Sequence, residues 1–286
     1  MLRRRMRMWV ARTAVAVVVM AMGAARSAAA DYATAAPLDS GFRLLYNLDF
    51  PHAQQQFSSW ERDHREDPMG PTCEAAGLLF SEFQRLGVLE AQFYEDDATF
   101  GARKKLSPDP EVRKQFDAAI ARAESLAQAR LTKDANDEAA LFAMTLTSGL
   151  KADYAALIEK RNVASLRLPK QATAWSERLL AVHPECYDAH LAAGVSKYII
   201  GSMAAPVRWF LRLGGVSGDK KAGIAELQVT ADRGHYLAPF ARILLAIAYV
   251  RDKDKPRARQ LLASLREEFP GNPLFGKEIA RLDAGQ

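Results

Sequence analysis

The segment between Pro239 and Pro270 constrains the fold of this chain more than any other stretch. It contains two runs with helical spacing of apolar residues, joined by a tight polar turn, which predicts two antiparallel helices. One face of the first helix carries Leu245, Ala246 and Tyr249, and one face of the second carries Ala258, Leu262 and Leu265. Small side chains at Ala246 and Ala258 would let the two backbones approach. Because one pair cannot bury its apolar face alone, further pairs are expected to stack on it.

Similar spacing of small and large apolar residues recurs upstream of this segment. The spacing of Ala53, Phe57 and Trp60 predicts a first helix pair at 38–48 and 50–65. Further helices are predicted at 71–86, at 88–104, from Pro110 onward, at 189–198 and, as a single closing helix, at 273–282. The predicted fold class is therefore all-α: an α-solenoid of helix pairs over residues 38–283, preceded by a loose lead-in at 31–37.

Two intervals in this array are longer than the repeat period allows. Ala135 to Pro184 spans 49 residues and Pro184 to Pro270 spans 86, whereas one helix pair takes about 34. The surplus predicts two insertions, near residues 150–169 and 200–218. The first is consistent with an elongated helix pair, and the second is a run of apolar and basic residues with a short helix.

Residues 1–30 have the composition of a secretory signal peptide. A basic start precedes an uncharged apolar run from Val15 to Ala25, and small residues then suit cleavage near Ala30. The chain is therefore expected to be exported, and to be periplasmic or secreted after cleavage. An uncleaved N-terminal anchor is the alternative, although the apolar run is shorter than the roughly 20 residues that a spanning helix needs.

The net positive charge of the chain comes from this leader. Residues 1–30 contain six arginines and no acidic residue, so 33 basic and 34 acidic residues remain after it. A nearly neutral mature chain has no basic footprint for a nucleic acid, and none is expected as a partner.

The two cysteines, Cys73 and Cys186, would enter an oxidising compartment, where a disulfide is one interpretation. They lie about three repeats apart in an array whose repeats contact only their neighbours. A disulfide needs Cα atoms within roughly 7 Å, so two buried thiols are expected instead.

The pattern of helix pairs resembles the tetratricopeptide-repeat (TPR) superfamily, as found in secreted bacterial repeat proteins, over most of residues 38–283. The most specific match is the spacing of Ala258, Leu262, Leu265 and Pro270. A second, local resemblance at residues 206–227 is to the tetratricopeptide-39/inclusion-body-clearance family. Its basic and apolar run ends in a Gly-x-x-Gly-Asp-like turn, here at Gly215, Gly218 and Asp219. This local resemblance implies a non-enzymatic adaptor near membranes.

A solenoid of this type is expected to bind a peptide or protein partner in a concave groove lined by the first helix of each pair. The inner-face positions expected to contact the partner are Asp188, Leu191, Val195, Tyr198, Phe240, Ile243 and Ile247. This non-enzymatic scaffold is the leading functional hypothesis.

The 200–218 insertion offers a second contact surface, formed by Arg208, Trp209, Phe210 and Arg212. As an exposed wedge it would dock on a partner or a lipid surface. As a plug it would instead fold back over the groove and bury Trp209 and Phe210. The alternative function is therefore a lipid or small-ligand carrier, or an adaptor that contacts a membrane through this insertion.

Metal and catalytic chemistry are not predicted. His183, Cys186 and His190 have metal-like spacing with Asp188 among them, but they straddle a turn and no second ligand pair follows at matching spacing. An acidic group at Glu90, Glu95, Asp96 and Asp97 is interpreted as a solvated helix face. The chain has no phosphate-binding glycine loop and no nucleophile elbow. Neither a cofactor nor a metal is expected, and a hydrolytic enzyme is the least favoured class.

Overall fold

The structure is a computed structural model that describes residues 36–90, 106–159, 167–203, 205, 208–209, 212 and 217–285. The predicted leader at 1–30 and parts of both predicted insertions lie outside the described residues. The described residues belong to one compact unit, Ala36–Gln286. Among them every regular element is helical and none is a strand, which confirms the all-α prediction.

The helices follow one another with short connections where the chain is described. Their bounds are α1 (Ala36–Tyr46), α2 (Phe50–Asp63), α3 (Met69–Arg85), α4 (Pro110–Lys133), α5 (Glu138–Asp153), α6 (Arg167–Val182), α7 (His190–Ser202), α8 (Lys220–Arg233), α9 (Ala238–Arg251), α10 (Lys255–Glu268) and α11 (Pro273–Asp283). A π-helical turn at Tyr154–Ile158 continues α5, and a 3₁₀ turn at Tyr187–Ala189 precedes α7.

Several helices in this chain begin at an acidic or amide side chain that caps exposed backbone N–H groups. Asp49, Asp109, Asp254 and Asn272 each accept a hydrogen bond from the first turn of the following helix, which also has a proline at its first or second position. Asp219, the last residue of the Gly-x-x-Gly-Asp-like turn, caps α8 in the same way, because its carboxylate accepts from the backbone of the residues two and three positions on, at 2.8 and 3.1 Å. These local signals explain why the helix boundaries are readable from the sequence.

Each helix packs most extensively on the helices that precede and follow it in the chain. The pairs are α1–α2, α3–α4, α5–α6, α7–α8 and α9–α10, with α11 packed on α10. First helices of successive pairs also touch, α1 on α3 and α3 on α5. The pair predicted at 239–270 is present as α9 and α10, and its spacing residues are completely buried: Leu245, Ala246, Ala258, Leu262 and Leu265.

The two ends of the array are in contact with each other. The hydroxyl of Tyr46 in α1 donates to the carbonyl oxygen of Tyr236 at 2.8 Å, and the side-chain amide of Asn272 donates to the carbonyl oxygen of Tyr46 at 2.9 Å. The side-chain oxygen of Asn47 accepts from the backbone N–H of Gly271 at 2.9 Å. An array in which only neighbouring repeats touch would lack these contacts, so the observed arrangement departs from an open solenoid here.

Aromatic side chains fill the space where the ends meet. The rings of Phe42 and Tyr236 stack with centroids 4.6 Å apart, and Phe80 in α3 meets Phe240 in α9 edge to face at 5.6 Å. Such ring pairs are favourable arrangements beyond the apolar area that they bury. Aromatic residues of the first two helix pairs therefore pack against α9 and the turn before it.

Candidate partner-binding site

The 200–218 insertion leaves and rejoins the helix pairs at one point. A Cβ atom added at Gly218 would lie well within 3 Å of the backbone of Gly201, and one added at Gly201 would lie equally close to the backbone of Lys220. Gly223 in α8 meets the backbone of Tyr198 in α7 in the same way. Because only glycine permits this approach, α7 and α8 form a close pair that holds both ends of the insertion together.

Three large side chains of the insertion, those of Arg208, Trp209 and Arg212, face solvent. Trp209 is 65% exposed, and Arg208 and Arg212 are exposed on either side of it in the sequence. A guanidinium nitrogen of Arg208 donates to the carbonyl oxygen of Gly201 at 3.0 Å, which ties this residue to the end of α7. The plug alternative required a buried Trp209, and the exposure of its ring favours the wedge instead. Phe210 lies outside the described residues.

The charge of the insertion is one-sided. Residues 200–218 include two arginines and no acidic residue, together with an apolar majority. Ile199, the residue just before it in α7, is another large apolar side chain with 50% of its surface exposed. The insertion and Ile199 therefore expose apolar and cationic groups, and no acidic residue of the insertion balances its two arginines.

Asp188, a predicted groove residue, is buried and bound inside the protein. Its carboxylate accepts hydrogen bonds from three successive backbone N–H groups, those of His235 at 2.9 Å, Tyr236 at 3.0 Å and Leu237 at 3.1 Å. Burial raises the pKa of Asp188, and the three hydrogen bonds oppose that shift by stabilising its charged form. The side chain acts as an anchor for the turn between α8 and α9.

The other predicted groove residues divide between core and surface. Tyr198 and Ile247 are buried, and Phe240 packs against Phe80. Leu191 and Val195 in α7 and Ile243 in α9 remain partly exposed. Phe240 is partly exposed as well, so four of the seven positions are not fully buried, and α8 packs against both helices that carry them.

The two cysteine thiols are free, Cys73 fully buried and Cys186 half-buried. Burial raises the pKa of both thiols, so each is held in its unreactive protonated form. The acidic group considered in the sequence is only partly described: Glu90 forms an ion pair with Lys277 at 2.9 Å, and residues 95–97 lie outside the described residues.

The histidines with metal-like spacing do not meet each other. His190 pairs through Nδ1 with Glu226 at 2.5 Å, whereas His183 faces Glu138 and Glu185. Glu138 was not predicted to lie beside His183, because the two residues are 45 positions apart in the sequence. The signal that could have found it is the repeat register, which places residues 134–138 and 183–186 in successive inter-pair turns.

Comparisons with known proteins add no further assignment. Neither a scan against protein-family models nor a search of curated proteins finds a match for this chain. Among the described residues, no helix combines the length and apolar character that crossing a membrane requires. The function is therefore inferred from the chemistry of the surfaces described above.

Proposed function

We propose that this protein is an exported, non-enzymatic scaffold of the TPR-like α-solenoid type, which binds a protein partner through the 200–218 insertion and the adjoining helix faces. The observation that carries this proposal is the exposure of Trp209 on a segment whose ends are held together by Gly201 and Gly218. Large exposed apolar side chains that have an arginine nearby are typical of the centres of protein interfaces.

The energetics favour such a role for Trp209. A tryptophan buries roughly 200 Å² when it is covered completely. Covering the part of the ring that is exposed here would therefore contribute about 3 kcal/mol at about 25 cal/mol per Å². Arg208 and Arg212 would favour a partner with acidic groups around an apolar pocket, and they would raise the rate of its association. The two arginines and the tryptophan together predict that the epitope on the partner has an apolar centre surrounded by acidic groups.

The partly exposed groove positions extend this surface under the proposal. Leu191, Val195 and Ile243 would contribute apolar contacts beside the insertion, whereas Asp188, Tyr198 and Ile247 would hold the helices in place. Substitutions that test the groove therefore belong at the first three positions. A charge at a buried position would unfold the protein and report only on stability.

A second function, peripheral contact with an anionic membrane, is favoured by one observation: the insertion has arginines and no acidic residue. A segment with tryptophan and arginine on an apolar background has the composition of an interfacial membrane contact. The two functions differ in what covers Trp209, a protein or a membrane surface. The Trp209→Ala variant distinguishes them.

Affinity capture from envelope extract with mass spectrometry tests the leading function. The Trp209→Ala variant is expected to lose specific partners that the wild-type protein retains. Val182→Ala is the matched control, because Val182 is also an exposed apolar residue, at 38%, but lies at the end of α6. Identical capture by all three proteins would contradict the proposal.

Flotation with anionic phosphatidylglycerol vesicles tests the membrane alternative on the same three proteins. Partner capture that depends on Trp209, without flotation, supports the scaffold. Flotation that depends on Trp209, without loss of captured proteins, assigns the insertion to a membrane instead.

A further inference from the structure

Two successive inter-pair turns lie side by side and are joined by direct contacts. Nε2 of His183, in the turn after α6, lies 2.9 Å from the carbonyl oxygen of Asn136, in the turn before α5. The guanidinium of Arg178 donates to the carbonyl oxygen of the neighbouring Ala135 at 2.5 Å. These contacts hold the imidazole of His183 in a fixed orientation over the start of α5.

The contact with Asn136 also determines what the other imidazole nitrogen can do. A backbone carbonyl oxygen only accepts hydrogen bonds, so Nε2 of His183 carries the proton. In the neutral ring, Nδ1 then presents a lone pair. It faces Oε2 of Glu138 at 3.8 Å and Oε1 of Glu185 at 3.5 Å. Three electron-pair donors thus converge, with their ligand atoms all within 4.8 Å of one another.

The carboxylates of this cluster lack a compensating cation among the described residues. Oε2 of Glu138 is buried and has no hydrogen-bond partner there. The negatively charged side chains of Glu185 and Asp137 lie close to Glu138. Asp137 is itself paired with Arg130 at 2.8 Å, and neither glutamate of the cluster has a lysine or arginine partner in the described part of the chain.

We infer that Glu138, His183 and Glu185 form a binding site for a divalent transition-metal ion of the Zn²⁺ class. One imidazole nitrogen and two carboxylate oxygens are a donor set that suits such ions. Bonds of about 2.1 Å in tetrahedral geometry place ligand atoms roughly 3.4 Å apart. The two separations from Nδ1 of His183, 3.8 and 3.5 Å, are close to that value, and the two carboxylate oxygens, which lie within 4.8 Å of each other, would move together when the ion binds. Glu185 is 60% exposed, which leaves an open side for a water ligand and for entry of the ion.

The surroundings of the cluster have the features expected around a metal site. The Nε2–H···O=C contact with Asn136 is the kind of outer hydrogen bond that fixes the tautomer and orientation of a ligating histidine. The ion would bridge α5 to the turn after α6, and would therefore lock one inter-pair junction. Its expected role is structural.

Isothermal titration of the purified, chelator-treated protein with Zn²⁺ tests the inference, using an affinity tag without histidine. We expect one ion per chain with a Kd of about 10 μM or tighter. Glu138→Gln, which keeps the shape of the side chain, is expected to weaken binding by at least about tenfold. The thermal unfolding midpoint should rise with Zn²⁺ in the wild type and not in this variant, because an ion that binds only the folded state stabilises it.

His190→Asn is the matched control. It removes a histidine that is also paired with a glutamate, but Glu226 already has a cationic partner in Lys197 at 2.7 Å. Its Zn²⁺ affinity should equal that of the wild type. Absence of binding to the wild type, or binding that Glu138→Gln leaves unchanged, would overturn the inference. Loss of binding in His190→Asn but not in Glu138→Gln would place the ion elsewhere and would equally overturn it.

Discussion

The phenolic hydroxyl of Tyr46 donates a hydrogen bond to the carbonyl oxygen of Tyr236, 190 positions later in the chain, at 2.8 Å. Both residues are buried, and the ring of Phe42 stacks against Tyr236 beside this bond. Burial raises the pKa of Tyr46, so the hydroxyl keeps its proton and the donor role throughout the physiological range. The bond fastens the first helix of the array to the turn before α9.

Tyr46→Phe is expected to lower the free energy of unfolding by about 1 kcal/mol, because the carbonyl oxygen of Tyr236 is left buried without this donor. Urea unfolding monitored by circular dichroism measures the change. Tyr249→Phe is the control, since Tyr249 is only partly buried, and it should be nearly neutral. Equal stability of wild type and Tyr46→Phe would show that the ends of the array do not depend on this bond.

Asp188→Asn should destabilise the protein by about 2 kcal/mol. The amide retains one acceptor oxygen for the backbone N–H groups of His235, Tyr236 and Leu237, and its NH₂ group would face a donor where the carboxylate had a second oxygen. Chemical unfolding of the variant measures the loss, with the exposed Asp232→Asn as the control. A neutral outcome would exclude the anchoring role assigned to Asp188.

The carboxyl of Asp153 makes the stability of the protein depend on pH. Burial raises the pKa of its carboxyl to about 7. Ionisation is therefore less favourable in the folded than in the unfolded state, and the cost to stability grows as pH rises from about 4 to about 7. Asp153→Asn is expected to stabilise the protein by about 2 kcal/mol near pH 8, and this gain should disappear near pH 4. Urea unfolding at several pH values checks it; a gain independent of pH would contradict the assignment.

Alanine substitutions at two helical glycines are expected to change the stability of the protein in opposite directions. A Cβ atom at Gly223 would collide with the backbone of Tyr198, whereas at Gly149 in α5 nothing lies within 4 Å of the added atom. Gly223→Ala should cost about 3 kcal/mol by forcing α7 and α8 apart. Gly149→Ala should gain about 0.7 kcal/mol from helix propensity alone. Thermal unfolding of the two variants distinguishes them, and a stable Gly223→Ala would mean that the helices of this pair do not need their close approach.

Local signals in the sequence account for most of the helix positions. Capping residues such as Asp219 and the spacing of Ala258, Leu262 and Leu265 act over a few residues, and helices α8 and α10 form where these signals occur. The contact between the two ends was not predictable in this way. It depends on small rotations that accumulate from pair to pair, and no single stretch of sequence encodes their sum.

Asp188 was predicted to lie on the inner face of the groove, where it would contact a partner. Its burial depends on three backbone N–H groups that lie 47 to 49 positions away and donate to its carboxylate. The exposure of Trp209 was one of two alternatives that composition could not separate, since an apolar insertion can cover its own protein or another surface.

The junction of Gly201 with Gly218 means that the intervening loop is removable in principle. A chain that passed directly from one glycine to the other, through a linker of one or two residues, would need no movement of α7 or α8. The residues between the two glycines could accordingly be shortened, exchanged or redesigned while the helical frame remains the same.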